Sequence, residues 1–215
     1  MSVLGHPEWE EKKFTLNAFV QGGGEIPGYA VFRKWGVPAP ETELIDICFS
    51  EPCVVQRYLL LESINKAFRK KHFDEDALEY EVEGGILPDK DSHPTITLAD
   101  FMNATRWNQT ALRNYAAAEH ETNHWDGLCT HTFDGVNWGN NAIIFLHNGL
   151  LHPVPWGLDQ TMQCNKEETT PYENSICPVQ NPHAVQLQPN CRRVDALFSK
   201  YYMGNALSYL ALFAL

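Results

Sequence analysis

The sequence predicts an α+β protein, and three features of its pattern support that fold class. The first third holds segments that alternate or are continuously apolar, which is typical of β-strands. A long stretch with apolar residues at helical spacing follows. That stretch precedes a segment with the pattern of a β-hairpin. A β-rich part followed by a helical part favours two lobes that share a cleft.

The first elements are a strand, a helix and a pair of strands. Residues 12–20 alternate and end at three glycines, so we expect a strand there. Pro27 is expected to open a short helix that ends at Gly36, because proline suits a first helical turn and glycine a helix end. Residues 41–49 and 53–62 predict a hairpin, whose second strand is apolar enough to be central.

The next elements are a short helix, a strand and a longer helical region. Residues 63–73 predict a helix with Ser63 as its N-cap. Residues 79–85 predict a short strand or a loop, and residues 98–125 predict one or two helices.

The last third begins with a hairpin. Residues 141–156 predict two strands that turn at Asn148-Gly149, a dipeptide favoured in two-residue hairpin loops. A loop-rich segment with three cysteines follows, and an Ala- and Leu-rich helix is expected from about Val194.

The composition excludes some classes of protein. Hydrophobic residues make up 44% of the 215 residues, which is typical of a globular protein. The formal net charge is -11, from 16 basic and 27 acidic residues, so nucleic acid is not an expected partner. No apolar run approaches the ~20 residues that a membrane-spanning helix needs, so we expect no membrane span.

Six cysteines and two sequons favour an oxidising, secretory location. Cys48 and Cys53 bracket the tip of the predicted hairpin, and we expect them to be bonded to each other. At least one further bond is expected within the loop-rich segment, among Cys164, Cys177 and Cys191. Asn103-Ala104-Thr105 and Asn108-Gln109-Thr110 match the N-glycosylation acceptor pattern. The alternative is six free thiols and two chance sequons.

Residues 120–124 form an H-E-x-x-H motif, which makes a zinc peptidase one alternative. On a helix, His120 and His124 would lie on the same side, with Glu121 beside them as the general base. Thr130, however, stands where the extended metzincin motif needs its third histidine. The zinc site therefore lacks its third ligand in this pattern.

A second constellation begins two residues after this motif. Asp126 ends the predicted helix, Asn141 opens the predicted hairpin, and Asp159 follows its second strand. A kinase cleft uses this order: an Asp orients the acceptor, and an Asn and a second Asp bind Mg²⁺. Carboxylate and amide oxygens are the hard ligands that Mg²⁺ prefers. Spacing alone is weak support, and a capping Asp126 with turn residues at the other two positions is the structural alternative.

Five segments resemble the spore-coat protein H (CotH) family of atypical secreted protein kinases. They are YAVFRKWGVPAPETELIDI, RYLLLESINKAFRKKHF, NHWDG, NNAIIFLHNG and PVPWGLDQTM, and the resemblance covers about residues 14–162. It implies an atypical protein-kinase-like fold of two lobes that transfers phosphate from ATP to Ser or Thr residues of a protein substrate. Residues 1–85 would form a truncated, β-rich N-lobe, and residues 86–215 a mainly helical C-lobe.

The resemblance also implies roles for individual residues. Asp126 would be the catalytic aspartate, and Asn141 and Asp159 would bind Mg²⁺ or Mn²⁺ together with ATP. Glu62 would lie at the hinge near the adenine. The family is secreted, which implies a location outside the cell or in the lumen of the secretory pathway.

The chain departs from the family pattern in three places. Many members have Trp-Asp-Leu-Asp where this chain has residues 156–159 as Trp-Gly-Leu-Asp. The interval between the catalytic Asp and the metal-binding Asn is long, so Asp134 and Asn140 stay open as alternatives for these roles. The phosphate-contacting lysine is expected on a strand that the chain lacks, with Lys12 and Lys13 as substitutes.

The missing strand and the absence of an apolar signal region suggest that the sequence is a fragment. A catalytically impaired pseudokinase, or a structural coat-type protein, is therefore the second hypothesis.

Overall fold

The computed structural model describes residues 14–18, 24–48, 52–82, 86–122, 124, 127–128 and 141–161. These residues form two antiparallel sheets and a set of helices, which confirms the α+β class. None of the helices that the model describes is long and apolar enough to cross a membrane. The helix expected from Val194 and the loop with Cys164, Cys177 and Cys191 lie outside the described residues.

The first sheet has three strands, namely β1 (Phe14–Ala18), β2 (Thr42–Cys48) and β3 (Val55–Glu62). Their order is β1-β3-β2, so β3 is the central strand, as its apolar sequence predicts. The bond between Cys48 and Cys53 is confirmed, with the two Cα atoms 5.3 Å apart. It closes the β2–β3 hairpin beside the exposed start of β3.

The second sheet has four strands, in the order β5-β4-β6-β7. Its central pair is β4 (Leu78–Val82) and β6 (Ala142–His147). The predicted hairpin of β6 and β7 (Leu150–Pro155) is confirmed, and its turn has positive φ at Asn148 (51°) and Gly149 (78°). Left-handed backbone at both turn positions is the reason that Asn-Gly is favoured there.

The edge strand β5 (Ile86–Pro88) was not predicted from the sequence, because three residues carry no periodicity. It pairs with β4, and β4 in turn pairs with β6. The four-stranded sheet therefore contains strands from both of the expected lobes, residues 1–85 and residues 86–215.

Two helices lie near the first sheet, and both differ in detail from their predictions. Helix α1 (Glu25–Lys34) begins two residues before Pro27, which lies in its first turn. Helix α2 (Lys66–His72) is capped by Asn65, so the prediction of Ser63 as its cap is wrong. Asn65 Oδ1 accepts the N–H groups of Ala67 at 2.7 Å and Phe68 at 3.3 Å. Asn65 lies two residues closer than Ser63 to the first free N–H groups, directly before the helix, and it therefore takes the capping role.

One or two helices were predicted over residues 98–125, and the structure has two α-helices there. Helix α3 (Leu98–Met102) begins with a capping box made by Thr97 and Asp100. A 3-10 helix (Ala104–Arg106) connects it to α4 (Gln109–Thr122), which packs against β7 and α1.

Both faces of the four-stranded sheet carry buried side chains, and each face has its own core. One face contributes Tyr80 and Ile144 to the larger core, which also contains Phe32 of α1 and Leu112 and Tyr115 of α4. The opposite face packs against α2 in a smaller core. Its buried members are Phe68, Ala77, Ile143, Phe145 and Val154. A sheet covered on both sides is a rigid base for the polar residues at its ends.

Candidate functional site

The strand pairing brings two predicted site residues to one end of the four-stranded sheet. Ala142, the first residue of β6, pairs with Pro155, the last residue of β7. Asn141 therefore precedes one strand at the same sheet end where residues 156–159 leave the other. The carbonyl of Asn141 accepts the backbone N–H of Trp156 at 3.1 Å, which extends the pairing by one residue. Asn141 and the segment that carries Asp159 are thus distant in sequence and lie at the same end of the sheet.

Gly157 explains the departure from the Trp-Asp-Leu-Asp pattern. It has φ 61° and ψ 45°, a left-handed conformation that glycine adopts without strain. A Cβ at this position would lie 2.6 Å from Asn141 Oδ1. The side chain of Asn141, which itself has φ 46°, thus packs directly on the glycine. A carboxylate at position 157 would displace the asparagine from the sheet end.

Asp159 lies in the first turn of a 3-10 helix (Leu158–Gln160), and its side chain is exposed. Glu25 of α1 lies close enough for Asp159 to act on it electrostatically. Burial, and secondly the negative charge of Asp159, raise the pKa of Glu25 from 4.5 to about 7, against a hydrogen bond from Asn17. The effect of Asp159 on Glu25 shows that the two carboxylates are near neighbours, although Asp159 itself is exposed.

Glu25 was missed in the sequence prediction. Its only sequence signal is its position as an acidic residue in the first turn of a helix. Acidic residues are common there because they complement the helix dipole, so this signal does not single out a site residue. Asn17 Nδ2 of β1 lies 3.4 Å from Glu25 Oε1, so the carboxylate is also linked to the three-stranded sheet. No ion pair with a cation is formed by Glu25 within the described ranges.

Helix α1 is fixed to the second half of the chain at both of its ends. At the start, Thr161 Oγ1 donates a hydrogen bond of 2.9 Å to the carbonyl of Gly24. At the end, the buried carboxylate of Glu121 binds Lys34 Nζ at 3.0 Å and accepts the indole N–H of Trp35 at 2.7 Å. The position of Glu25 relative to Asp159 is therefore set by contacts with α4 and with the residues after β7.

A cleft of about 240 Å³ lies between the two sheets. Thr15 of β1 and Ser63 and Ile64 after β3 form one side, and the other side is formed by the second sheet. The second sheet's lining residues are Glu79, Glu81, Leu87, Pro88, Asp89, Ile143 and Trp156. The cleft thus combines apolar side chains with three acidic residues, Glu79, Glu81 and Asp89.

The cleft and the carboxylate pair share one side of the molecule. Thr15 and Asn17 are two residues apart on β1, and residues at this spacing lie on the same face of a strand. Thr15 lines the cleft, while Asn17 contacts Glu25. On the opposite wall, Trp156 lines the cleft and directly precedes the segment that carries Asp159. The lining residues Thr15 and Trp156 are thus two and three positions away in the chain from Asn17 and Asp159.

Glu62 ends β3 immediately before the two residues that line the cleft. Its side chain is buried, and Oε2 accepts the N–H of Glu41 at 3.0 Å while Oε1 lies 3.5 Å from Lys71 Nζ. These contacts fix the connection between the two sheets. They direct the carboxylate towards the backbone of β2's start, and the cleft itself is lined by Ser63 and Ile64.

Asp126 lies outside the described residues, as do Lys12, Lys13, Asp134 and Asn140. Its described neighbours His124, Gly127 and Leu128 are all buried. The buried carboxylate of Glu119 packs against Gly127, where an added Cβ would overlap it. Burial, and then the charge of Glu119, raise the pKa of Tyr115 well above its usual value.

The H-E-x-x-H motif does not have the geometry that a zinc site on one helix needs. Helix α4 ends at Thr122, and the N–H of His124 bonds to the carbonyl of Glu119 as the chain leaves the helix. The carboxylate of Glu121 is occupied by Lys34 and Trp35. Within the described part of the chain, no group of three or more His, Cys, Asp or Glu side chains could hold a metal ion.

The donors at the sheet end suit a magnesium ion better than zinc. Asn141 supplies an amide oxygen and Asp159 a carboxylate, and Mg²⁺ is commonly held by one or two such groups together with phosphate oxygens and water. The oxygen donors at this sheet end therefore match the ligand preference of a hard divalent cation.

Neither the known family models nor the curated proteins include a match to this chain.

Proposed function

We propose that the chain is a phosphotransferase of the CotH type, which binds Mg²⁺-ATP between its two sheets and phosphorylates Ser or Thr residues of a protein. The observation that carries this proposal is that Asn141 and the segment with Asp159 lie at one end of the four-stranded sheet, with Glu25 near Asp159. In a kinase this end holds the phosphates and the metal.

The cleft supports the proposal because it suits an adenine ring. Trp156, Ile143 and Ile64 provide apolar surface on two walls, and the backbone of Ser63 and Ile64 follows the central strand as a hinge would. Glu62 stabilises that hinge from behind through Glu41 and Lys71. Its proposed role is therefore to position the hinge next to the adenine.

The charge of the cleft implies that ATP binds together with its cation. Glu79, Glu81 and Asp89 line the cleft, and Glu25 and Asp159 form a second acidic pair outside its lining. A bare polyphosphate would be repelled by these carboxylates, because like charges in a partly desolvated site interact strongly. Mg²⁺ or Mn²⁺ at Asn141 and Asp159 would neutralise the phosphates and orient the terminal one.

Transfer then needs a group that orients the acceptor. We assign this role to Asp126, whose carboxylate accepts the proton of the Ser or Thr hydroxyl as its oxygen attacks the terminal phosphorus. The bond from that phosphorus to the bridging oxygen breaks, and ADP leaves with the electron pair. The buried Glu119, Gly127 and Leu128 support the segment that carries Asp126.

The location that fits this proposal is the lumen of the secretory pathway or the cell exterior. The disulfide between Cys48 and Cys53 supports it, because such bonds persist mainly in oxidising compartments.

Transfer of labelled phosphate from ATP to a generic Ser/Thr protein tests the proposal. Asp126→Asn should leave ATP binding nearly unchanged and lower transfer by roughly two to four orders of magnitude, the usual contribution of a positioned acid or base. Asp134→Asn is the matched control, since it removes the same charge from the competing candidate. If phosphate transfer survives Asp126→Asn and is lost in Asp134→Asn, Asp134 and not Asp126 is the catalytic aspartate.

The same assay, combined with nucleotide binding, distinguishes an active kinase from a pseudokinase or a structural coat-type protein. A wild-type chain that binds Mg²⁺-ATP and transfers no phosphate is a pseudokinase. A chain that binds no nucleotide with any divalent cation has a structural role. Stoichiometric zinc in the purified protein, lost in His124→Ala, would instead support the peptidase.

A further inference from the structure

The sequon at Asn103 lies between α3 and α4, and the proposed phosphotransfer leaves it without a role. We propose that Asn103 is an N-glycosylation site that carries one oligosaccharide, and that the second sequon, at Asn108, stays unmodified. This inference is independent of the proposed enzymatic activity. It rests on the different positions of two sequons that the sequence alone treats as equivalent.

Asn103 presents its amide in a turn that leaves the nitrogen available. The side chain is exposed, and Oδ1 accepts the N–H of Thr105 at 3.0 Å and its hydroxyl at 2.8 Å. Both hydrogen bonds use the oxygen, and Nδ2 has no hydrogen-bond partner among the residues that the structure describes. A sugar attached to Nδ2 would therefore preserve the turn that begins the 3-10 helix.

Asn108 is held in a different way. Its side chain is half-buried, and Oδ1 accepts the N–H of Ala111 in the first turn of α4 at 3.1 Å. Its backbone N–H donates to the carbonyl of Leu151 in β7 at 3.0 Å, and its carbonyl accepts the N–H of Leu112 at 2.9 Å. A glycan here would have to leave from a residue fixed between a helix start and a strand.

The surface around Asn103 gives a physical reason for a glycan. Leu98 and Met102 of α3 are 37% and 43% exposed. They are four residues apart, and residues at this spacing lie on the same side of a helix. An oligosaccharide on the next residue would cover this apolar pair and keep it from self-association.

The chemistry needs a donor that the secretory pathway supplies, a lipid-linked oligosaccharyl diphosphate. A bond forms between Asn103 Nδ2 and the anomeric carbon of the first sugar. The bond between that carbon and the phosphate oxygen breaks, the lipid diphosphate leaves, and the amide nitrogen loses one proton. No oxidant or reductant takes part. The disulfide between Cys48 and Cys53 is a separate indication that the chain passes through such a compartment.

The test is expression of the full chain behind a cleavable secretory leader in eukaryotic cells. Cells and medium are analysed together, so that retained protein is also counted. Asn103→Asp removes the amide nitrogen and keeps an oxygen that can accept both hydrogen bonds from Thr105, so it separates glycosylation from folding. Asn108→Asp is the matched control, and Thr105→Ser keeps the hydroxyl of the sequon.

We expect one glycan on the wild type, detected as a single mobility step removed by peptide N-glycosidase, with conversion of Asn103 to Asp in the peptide map. The step should be lost in Asn103→Asp and retained in Asn108→Asp and Thr105→Ser. An unmodified wild-type chain, two glycans, or a glycan that survives Asn103→Asp would overturn the inference.

Discussion

The two sheets differ in how much of each strand the fold covers. In the central strand of the three-stranded sheet, residues 55–57 are exposed and residues 59–62 are buried. In β6 of the four-stranded sheet, the first four residues are buried and the sheet has a core on each face. The buried ends of both strands lie at the cleft, and Glu62 and Asn141 stand at those ends. These two polar residues thus lie where their strands are most buried.

The largest expected effect comes from a matched pair of core and surface substitutions. Ile144→Ala, in the doubly covered sheet, should lower the free energy of unfolding by about 2–5 kcal/mol, because it opens a cavity in a packed core. Val55→Ala, at the 60% exposed start of β3, should change it by less than about 0.5 kcal/mol. Urea titrations of both variants measure the difference. Equal losses would remove the distinction between the sheets.

A second pair compares two ion pairs. Glu121→Gln weakens the buried contacts that fix the end of α1, and it should cost about 1–3 kcal/mol. Asp46→Asn breaks the exposed pair with Arg57 on the β2–β3 hairpin and should cost at most about 1 kcal/mol. Thermal unfolding of the two variants at low salt provides the measurement. A larger loss for Asp46→Asn would show that the hairpin, and not α1, is the more tightly fixed element.

A smaller effect is expected on the pH dependence of stability. Burial, and secondly the charge of Asp89, raise the pKa of Glu79 in the cleft from 4.5 to about 7. Between these values the unfolded chain loses the proton and the folded chain retains it, so this contribution falls as pH rises and is lost above about 7.

Glu79→Gln should therefore reduce the decline in stability between pH 4.5 and about 7, as followed by urea unfolding at several pH values. Asp89→Asn should narrow the pH range over which stability declines, because it removes the negative charge that is the second cause of the raised pKa of Glu79. An unchanged slope in Glu79→Gln would mean that the cleft does not hold the proton.

Much of the fold follows from local sequence signals. The alternation of β1, the apolar run of β3 and the Asn-Gly turn each specify an element without help from distant residues. The short strand β5 does not, because its pairing with β4 comes from tertiary contacts alone. The cap of α2 was misassigned because Ser63 and Asn65 are both suitable residues, and only the start of the helix decides between them.

The site was predictable in part for a similar reason. Asn141 and Asp159 stand beside strands whose pairing was foreseen, so their proximity follows from the hairpin register. Glu25 is more than a hundred residues away from both in sequence, and it comes near Asp159 because α1 packs on the 3-10 helix. No local pattern encodes that packing. The reason for a glycine at position 157 is likewise its contact with Asn141, which the sequence does not show.

The most direct measurement is a calorimetric titration of ATP, with and without Mg²⁺, into the wild type and Asp159→Asn. We expect wild-type binding to require Mg²⁺, and the Kd in Asp159→Asn to rise by at least about tenfold, equivalent to about 1.4 kcal/mol. Asp46→Asn, which removes the same charge from the exposed hairpin, should bind as the wild type does. ATP binding that is independent of Mg²⁺, or that is equal in the wild type and Asp159→Asn, would contradict a metal-nucleotide site at this end of the sheet.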